Sequence, residues 1–302
     1  MKARILLVDD EIDFLDVVGE FLEDEGYEVM PATSGDAALT ILARDDFDLL
    51  LSDINMPGMK GFELLAEAGD RYPNLKRALI TAYDVRDYMN MARDYDIGNI
   101  ITKTTPFNFE ELGLLVHNIL TGDVFGLEHY VRGEIQTKYI DRVDRIESTI
   151  DYVIDQIADD YHKRKFRLAL GEIVINAFFY GARRERGDQK HTWCLEGELA
   201  PDEHIMVSWA RDPEKLGVAV RDQKGRLTKK EVLYWLERNT TKRPDGLAKG
   251  ILDEHGKGLY ITREAIDRFI VNIESGRRTE VVILNYRKGL YDGHQPLWIH
   301  EV

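Results

Sequence analysis

The chain has 302 residues but only one cysteine, Cys194, so it can form no internal disulfide, and its thiol usage fits a reducing compartment. It has no run of about 18 apolar residues that could span a bilayer. Its first residues, MKARILLVDD, lead into an apolar strand with an acidic end, unlike a signal peptide. A cytoplasmic protein with no membrane partner is therefore expected. Basic residues are in deficit, 40 Lys and Arg against 55 Asp and Glu, for a net charge of -15 at pH 7. That average surface repels phosphate backbones. The C-terminal part also lacks a compact helix-turn-helix pattern, so direct DNA binding is not expected. The eight histidines, His191 and His204 among them, show no metal-ligand spacing. Internal repeats and low-complexity tracts are absent.

What is present falls into two halves. Apolar runs at 4–8, 27–30, 47–52, 77–81 and 99–102 read as strands, and helical patterns at 35–44, 61–69, 84–93 and 108–120 separate them, with a first helix on Phe14, Leu15, Val18 and Phe21. This alternation predicts an α/β fold, a doubly wound parallel five-stranded domain over residues 1–120. Three glycines and no periodic apolar face mark a linker at 121–133. Tyr139, Val143, Ile146, Ile150, Val153 and Ile157 then repeat at nearly 3.5 residues, predicting one helix over 133–161. Either this helix packs on its own domain or it forms a coiled-coil seam for a homodimer. The division expected is thus 1–120, a 121–160 linker with the dimer helix, and 161–302. The last part begins with a helix and continues with strands at 191–199, 204–210, 216–221, 270–274 and 279–286 and a helix at 258–268. That order predicts an α/β two-layer sandwich.

In a doubly wound sheet, ligands bind beyond the C-terminal strand ends, where Asp9, Asp10, Asp53, Thr81 and Lys103 all fall. Three carboxylates in one cleft need a compensating cation. Oxygen donors without cysteine or histidine favour Mg²⁺ over zinc. Asp53 can accept a phosphoryl group as a carboxylate nucleophile, and Thr81 and Lys103 can bind its oxygens.

The segments ILLVDDE (5–11), LSDINMPGMKGFELL (51–65), LITAY (79–83) and Lys103 with Pro106 and Phe107 resemble the receiver domains of two-component response regulators. The resemblance covers residues 4 to about 120 and implies a flavodoxin-like fold. It also implies Asp53 as phosphoacceptor, Asp10 and Asp53 as direct Mg²⁺ ligands, Asp9 binding through water, and the Asn55 backbone carbonyl as a further ligand. A histidine kinase is the implied upstream partner. Two positions depart from the family pattern. Proline does not follow the lysine directly, since the chain reads KTTPF from Lys103 to Phe107, and Ile100 stands where an aromatic switch residue is usual.

In the second half, the helix LALGEIVINAFFYG (168–181) places Glu172, Asn176 and Tyr180 on one stripe. VAVRDQKGRLT (218–228) ends a strand at Asp222 and turns at Gly225. HGKGLYITREAIDRF (255–269) puts Gly256 and Gly258 before a helix, where backbone amides can bind phosphate. These segments resemble the Bergerat-type ATP-binding domain of histidine kinases, gyrase-like ATPases and, above all, anti-sigma-factor serine kinases. The resemblance covers about residues 161–287. It implies Asn176 on Mg²⁺ and the phosphates, Asp222 and Thr279 on the adenine side, Gly225 in the second motif, and Gly256 and Gly258 under the phosphates. Glu172 would be the base acting on a serine or threonine hydroxyl of a protein. Lys224 stands where that family has glycine, and Tyr180 where histidine is common. The implied whole is a regulator phosphorylated on Asp53 that controls an ATP-binding output, with a sigma factor or an anti-sigma antagonist-like protein downstream. Alternatives are a phosphorylation-controlled adaptor with an idle ATPase-like domain, and a hybrid histidine kinase. For the last, the 133–161 segment offers no phosphorylatable histidine.

Overall fold

A computed structural model describes residues 2–157, 160–183, 197–250, 253, 256–287 and 291–302. The chain divides into two compact units, Met1–Asp123 with Tyr291–Leu297, and Val124–Leu290 with Trp298–Val302. Among the described residues, no helix is long and apolar enough to cross a membrane.

The first unit alternates β1 (Arg4–Val8), α1 (Ile12–Asp24), β2 (Glu28–Ala32), α2 (Gly35–Leu42), β3 (Leu49–Asp53), α3 (Gly61–Arg71), β4 (Lys76–Thr81), α4 (Met89–Asp94), β5 (Asn99–Thr102) and α5 (Phe109–Thr121). All strand pairs are parallel, in the order β2-β1-β3-β4-β5. Ile5 to Val8 and Leu49 to Leu51 are fully buried, as continuous apolar runs require in a sheet covered on both faces. Helix starts are set by side-chain caps. Ser34 Oγ accepts from Ala37 N at 3.2 Å, and Asn108 Oδ1 accepts from Glu111 N at 3.1 Å. Gly122, with φ of 73°, closes α5. This is a flavodoxin-like fold, and it delivers β1, β3, β4 and β5 side by side with their C-terminal ends together.

The second unit carries β6 (Gln136–Ile140), α6 (Ile146–Ile157), α7 (Asp160–Ile175), β7 (Ile205–Arg211), β8 (Lys215–Asp222), α8 (Lys229–Thr240), α9 (Gly258–Ala265), β9 (Arg268–Glu274), β10 (Arg278–Tyr286) and β11 (Leu297–Glu301). Its strand order is β11-β9-β10-β8-β7-β6, antiparallel except for β11 beside β9. Helices α6, α7 and α9 pack on the sheet, and α7 also packs on α6 and α9.

Two expectations are corrected here. The single helix over 133–161 does not form: residues 136–140 are a strand paired antiparallel with β7, with Thr137 Oγ1 3.0 Å from Ser208 Oγ. Tyr139, assigned to the seam, is 59% exposed, whereas Ile146, Ile150, Val153 and Ile157 are buried within this unit. The heptad-like stripe over Ile146–Ile157 is therefore the core face of a shorter helix. The linker expected at 121–133 is also packed structure, with Val124, Leu127, Tyr130 and Val131 buried. Its anchor is the fully buried Glu280, which accepts from Gly126 N at 2.9 Å and from Arg221 Nε at 2.9 Å. Asn272 Nδ2 donates to the Val124 carbonyl at 2.6 Å, and the Arg278 guanidinium lies 3.8 Å from the Phe125 ring centroid. The expected strand at 191–199 and Cys194 fall largely outside the described residues, as does His255.

Candidate functional site

At the C-terminal edge of the first sheet, Asp9, Asp53, Thr81 and Lys103 are brought together. Asp9, Asp53 and Thr81 are buried, and Asp10 is exposed beside them. The Lys103 ammonium bridges the two buried acids, 2.8 Å from Asp9 Oδ2 and 3.0 Å from Asp53 Oδ1, and lies 4.1 Å from the centroid of the Phe14 ring. Burial alone would lower the Lys103 pKa, but its contacts with Asp9 and Asp53 raise it. Burial holds the Asp9 carboxyl above its ordinary value, against the opposing pull of Lys103. One lysine thus leaves this carboxylate pair short of positive charge. Asp53 Oδ2 accepts from Asn55 N at 2.5 Å, and Asn55 Nδ2 donates to the Tyr88 hydroxyl at 2.5 Å. Thr81 Oγ1 accepts from Tyr83 N at 3.1 Å, and Lys103 N donates to the Thr81 carbonyl at 2.7 Å. The loop after Asp53 folds tightly back on it: a Cβ on Gly61 would overlap the Asp53 carbonyl oxygen. Among the described residues, no three His, Cys, Asp or Glu side chains are already gathered as a metal-holding group. The donor chemistry fits a hard cation nonetheless, since all the nearby acids offer oxygen and their charge is under-compensated.

The response regulator receiver domain profile matches residues 5–116. Sporulation initiation phosphotransferase F of Bacillus subtilis is 30% identical over 112 residues, which cover 37% of this chain and 89% of that protein. The chain belongs to the response regulator receiver family. Response regulator protein FleR of Pseudomonas aeruginosa is 37% identical over 128 residues, 42% of this chain, but the match spans only 27% of FleR. The crystal structure of a CheY-like receiver domain protein from Methanospirillum hungatei is 32% identical, covering 40% of this chain and 96% of that one, with a TM-score of 0.38. Receiver domains carry out phosphotransfer with Mg²⁺ and pair with sensor histidine kinases. Two receiver residues were not singled out from sequence. Phe14, read only as part of a helix face, covers the Lys103 ammonium, and Tyr88 holds the Asn55 side chain. Neither contact has a local signature, because each joins segments far apart in the sequence.

The regulator's second unit gathers the other expected residues. Glu172 and Asn176 lie half-buried on and just beyond α7, and a Cβ on Gly258 would overlap Glu172 Oε2 and come within 3.5 Å of Asn176 Nδ2. The start of α9 thus rests on the Glu172–Asn176 pair. The turn Asn176–Ala182 is π-helical, so the 3.6-residue spacing that placed Tyr180 on the stripe does not hold there. Asp222 is buried at the end of β8, opposite Thr279 of β10. Its Oδ1 accepts from Lys224 N at 2.9 Å and from Gly225 N at 3.0 Å. Burial raises the Asp222 pKa, and those two amides with the Thr279 hydroxyl oppose the rise. A Cβ on Gly181 would come within 2.9 Å of the Asp222 carboxylate, which places Asp222 against the π-helical turn. Arg226 Nη1 ties the end of that turn, donating to the carbonyls of Gly181 at 2.5 Å and Ala182 at 2.7 Å. Gly225, at φ of 56°, has no room for a side chain against Glu274 O, and Gly256 none against the Trp235 ring. Lys224 Nζ pairs with Asp202 at 3.0 Å and Glu203 at 3.5 Å.

Proposed function

We propose that the chain is a response regulator phosphorylated on Asp53 whose second unit is an ATP-binding output of the Bergerat type, acting on a regulatory protein. The observation that carries the first half is the Lys103 ammonium set between Asp9 and Asp53 at the sheet edge. Asp9, Asp10, Asp53 and the Asn55 carbonyl would hold Mg²⁺, which when bound would neutralise charge on the transferred phosphoryl group. Asp53 forms the new P–O bond as the P–N bond of a kinase phosphohistidine breaks. The Asn55 N–H keeps one carboxylate oxygen in place, and Lys103 and Thr81 take the phosphoryl oxygens.

The second half is supported by Glu172, Asn176 and Gly258 at one place and by Asp222, Gly225 and Thr279 at another within one unit. Asn176 would hold Mg²⁺ and phosphates, with Gly256 and Gly258 beneath them. Asp222 and Thr279 would read the adenine, and Glu172 would accept the proton of a protein hydroxyl. Lys224 is engaged by Asp202 and Glu203, so the lysine in the glycine position is drawn toward acidic partners. Phosphorylation of Asp53 would switch this output, whose partner would be a sigma factor or an antagonist-like protein.

Calorimetric titration of Mg-ATP into the full chain tests the output half, and the expected result is micromolar binding weakened at least about tenfold by Asn176→Ala. Absence of binding heat at several temperatures would leave a phosphorylation-controlled adaptor. Glu172→Ala should abolish transfer to a protein substrate while ATP binding persists.

A further inference from the structure

The family profile ends at residue 116, yet seven residues from near the other end of the chain, Tyr291–Leu297, belong to the receiver unit. They are fixed to it by backbone and side chain. Thr105 N donates to the Asp292 carbonyl at 2.7 Å and Asp292 N donates to the Thr105 carbonyl at 3.0 Å, a reciprocal antiparallel bridge. The buried Thr102 hydroxyl donates to the His294 carbonyl at 2.7 Å. The His294 ring nitrogen Nδ1 lies 3.6 Å from Asp84 Oδ2. Gly293, at φ of 153°, lies close over Thr104, where a Cβ would come within 3.1 Å of its Cγ2.

Both loops that this segment grips issue from the phosphoryl site. Thr104 and Thr105 follow Lys103 directly and are the residues that separate the lysine from Pro106, so the departure from the family pattern supplies the pairing partner. Asp84 lies three residues after Thr81. The two loops are also joined to each other, because Lys103 N donates to the Thr81 carbonyl at 2.7 Å. The Thr81 hydroxyl is at present an acceptor for Tyr83 N at 3.1 Å, one residue before Asp84. Beyond the segment, Trp298 belongs to the second unit, where β11 pairs with β9.

We propose that residues 291–297 are a strap that reads the state of Asp53. It is held on the Thr105 and Asp84 loops while Asp53 is free, and released when a phosphoryl group on Asp53 draws Thr81 and Lys103 toward itself. This rests on the reading of Asp53, Thr81 and Lys103 given above. Turning the Thr81 hydroxyl toward the phosphoryl group breaks its bond from Tyr83 N and shifts the loop bearing Asp84. Moving Lys103 shifts the backbone that leads into Thr105. With Ile100 in place of an aromatic switch residue, the strap gives the receiver a direct covalent route to β11.

Amide hydrogen exchange of the full chain with Mg²⁺, with and without beryllofluoride as phosphoryl mimic, tests this. Fluorine resonance of the bound mimic, absent in Asp53→Asn, establishes separately that the Asp53 site has filled. With the site filled, exchange at Thr105 and across 291–297 should rise at least about tenfold. Unchanged exchange in a protein that binds the mimic overturns the strap, and failure to bind the mimic at all overturns the Asp53 reading and the strap with it. Coupling is reciprocal, so loosening the strap with Asp292→Pro or Thr102→Val should tighten mimic binding by about fivefold. A merely structural tether leaves that affinity unchanged or weakens it.

Discussion

The two candidate sites gather their carboxylates and polar partners by opposite means. In the receiver the groups stand at the ends of neighbouring parallel strands, and the sheet itself brings Asp9, Asp53, Thr81 and Lys103 together. A lysine already spans the acids there. In the second unit the groups come from a helix, a strand end and two glycine turns, and close approach replaces charge pairing: Gly258 on Glu172, Gly181 on Asp222, Gly256 on Trp235. A charge-built site is vulnerable to loss of one ion, whereas a contact-built site is vulnerable to one added methyl group.

The largest expected effect is on chemistry. Asp53→Asn should reduce phosphorylation by a small phosphoryl donor with Mg²⁺ to background, read as the intact mass of the protein, and retained labelling would place the acceptor elsewhere. Lys103→Met leaves Asp9 and Asp53 facing each other, so unfolding stability at neutral pH without Mg²⁺ should fall by about 3 kcal/mol. Mg²⁺ should restore much of it, and a variant as stable as the parent would contradict the ionic account of this site.

A pH titration separates the two units further. His300 on β11 is buried and burial pushes its pKa down to about 4 from 6.5. The unfolded chain takes up that proton first, so stability is full above pH 6.5 and is lost as pH falls toward 4, by about 3 kcal/mol. Chemical denaturation of the full chain across this range should show the loss in the second unit, and His300→Phe should flatten it. The smallest effect on stability is expected for Gly258→Ala, under about 1 kcal/mol, because the overlapped atom is the end of the flexible Glu172 side chain. Displacing that side chain should nonetheless impair protein phosphotransfer more than Mg-ATP binding, which a parallel measurement of both would reveal.

Much of the receiver was legible because buried parallel strands are continuous apolar runs and its acids follow them directly in sequence. The second unit was less so. β6 was hidden because Tyr139 and Val143 happen to extend the helical repeat of Ile146 to Ile157, and a repeat cannot show that residues 136–140 find β7 as a partner. The packing of Val124, Leu127, Tyr130 and Val131 follows no single period, so it read as linker. The strap was invisible because its grip on Thr105 and Thr102 is made by backbone atoms of Asp292 and His294, which carry no residue signature.

Asp53 and the proposed nucleotide site are expected to belong to one switch. Its most direct test is the Mg-ATP dissociation constant of the full chain before and after phosphorylation of Asp53, with Asp53→Asn treated identically. Phosphorylation should change that constant by at least about fivefold, and Asp53→Asn should show no such change. An unchanged constant in a chain shown to carry the phosphoryl group would contradict a single switch.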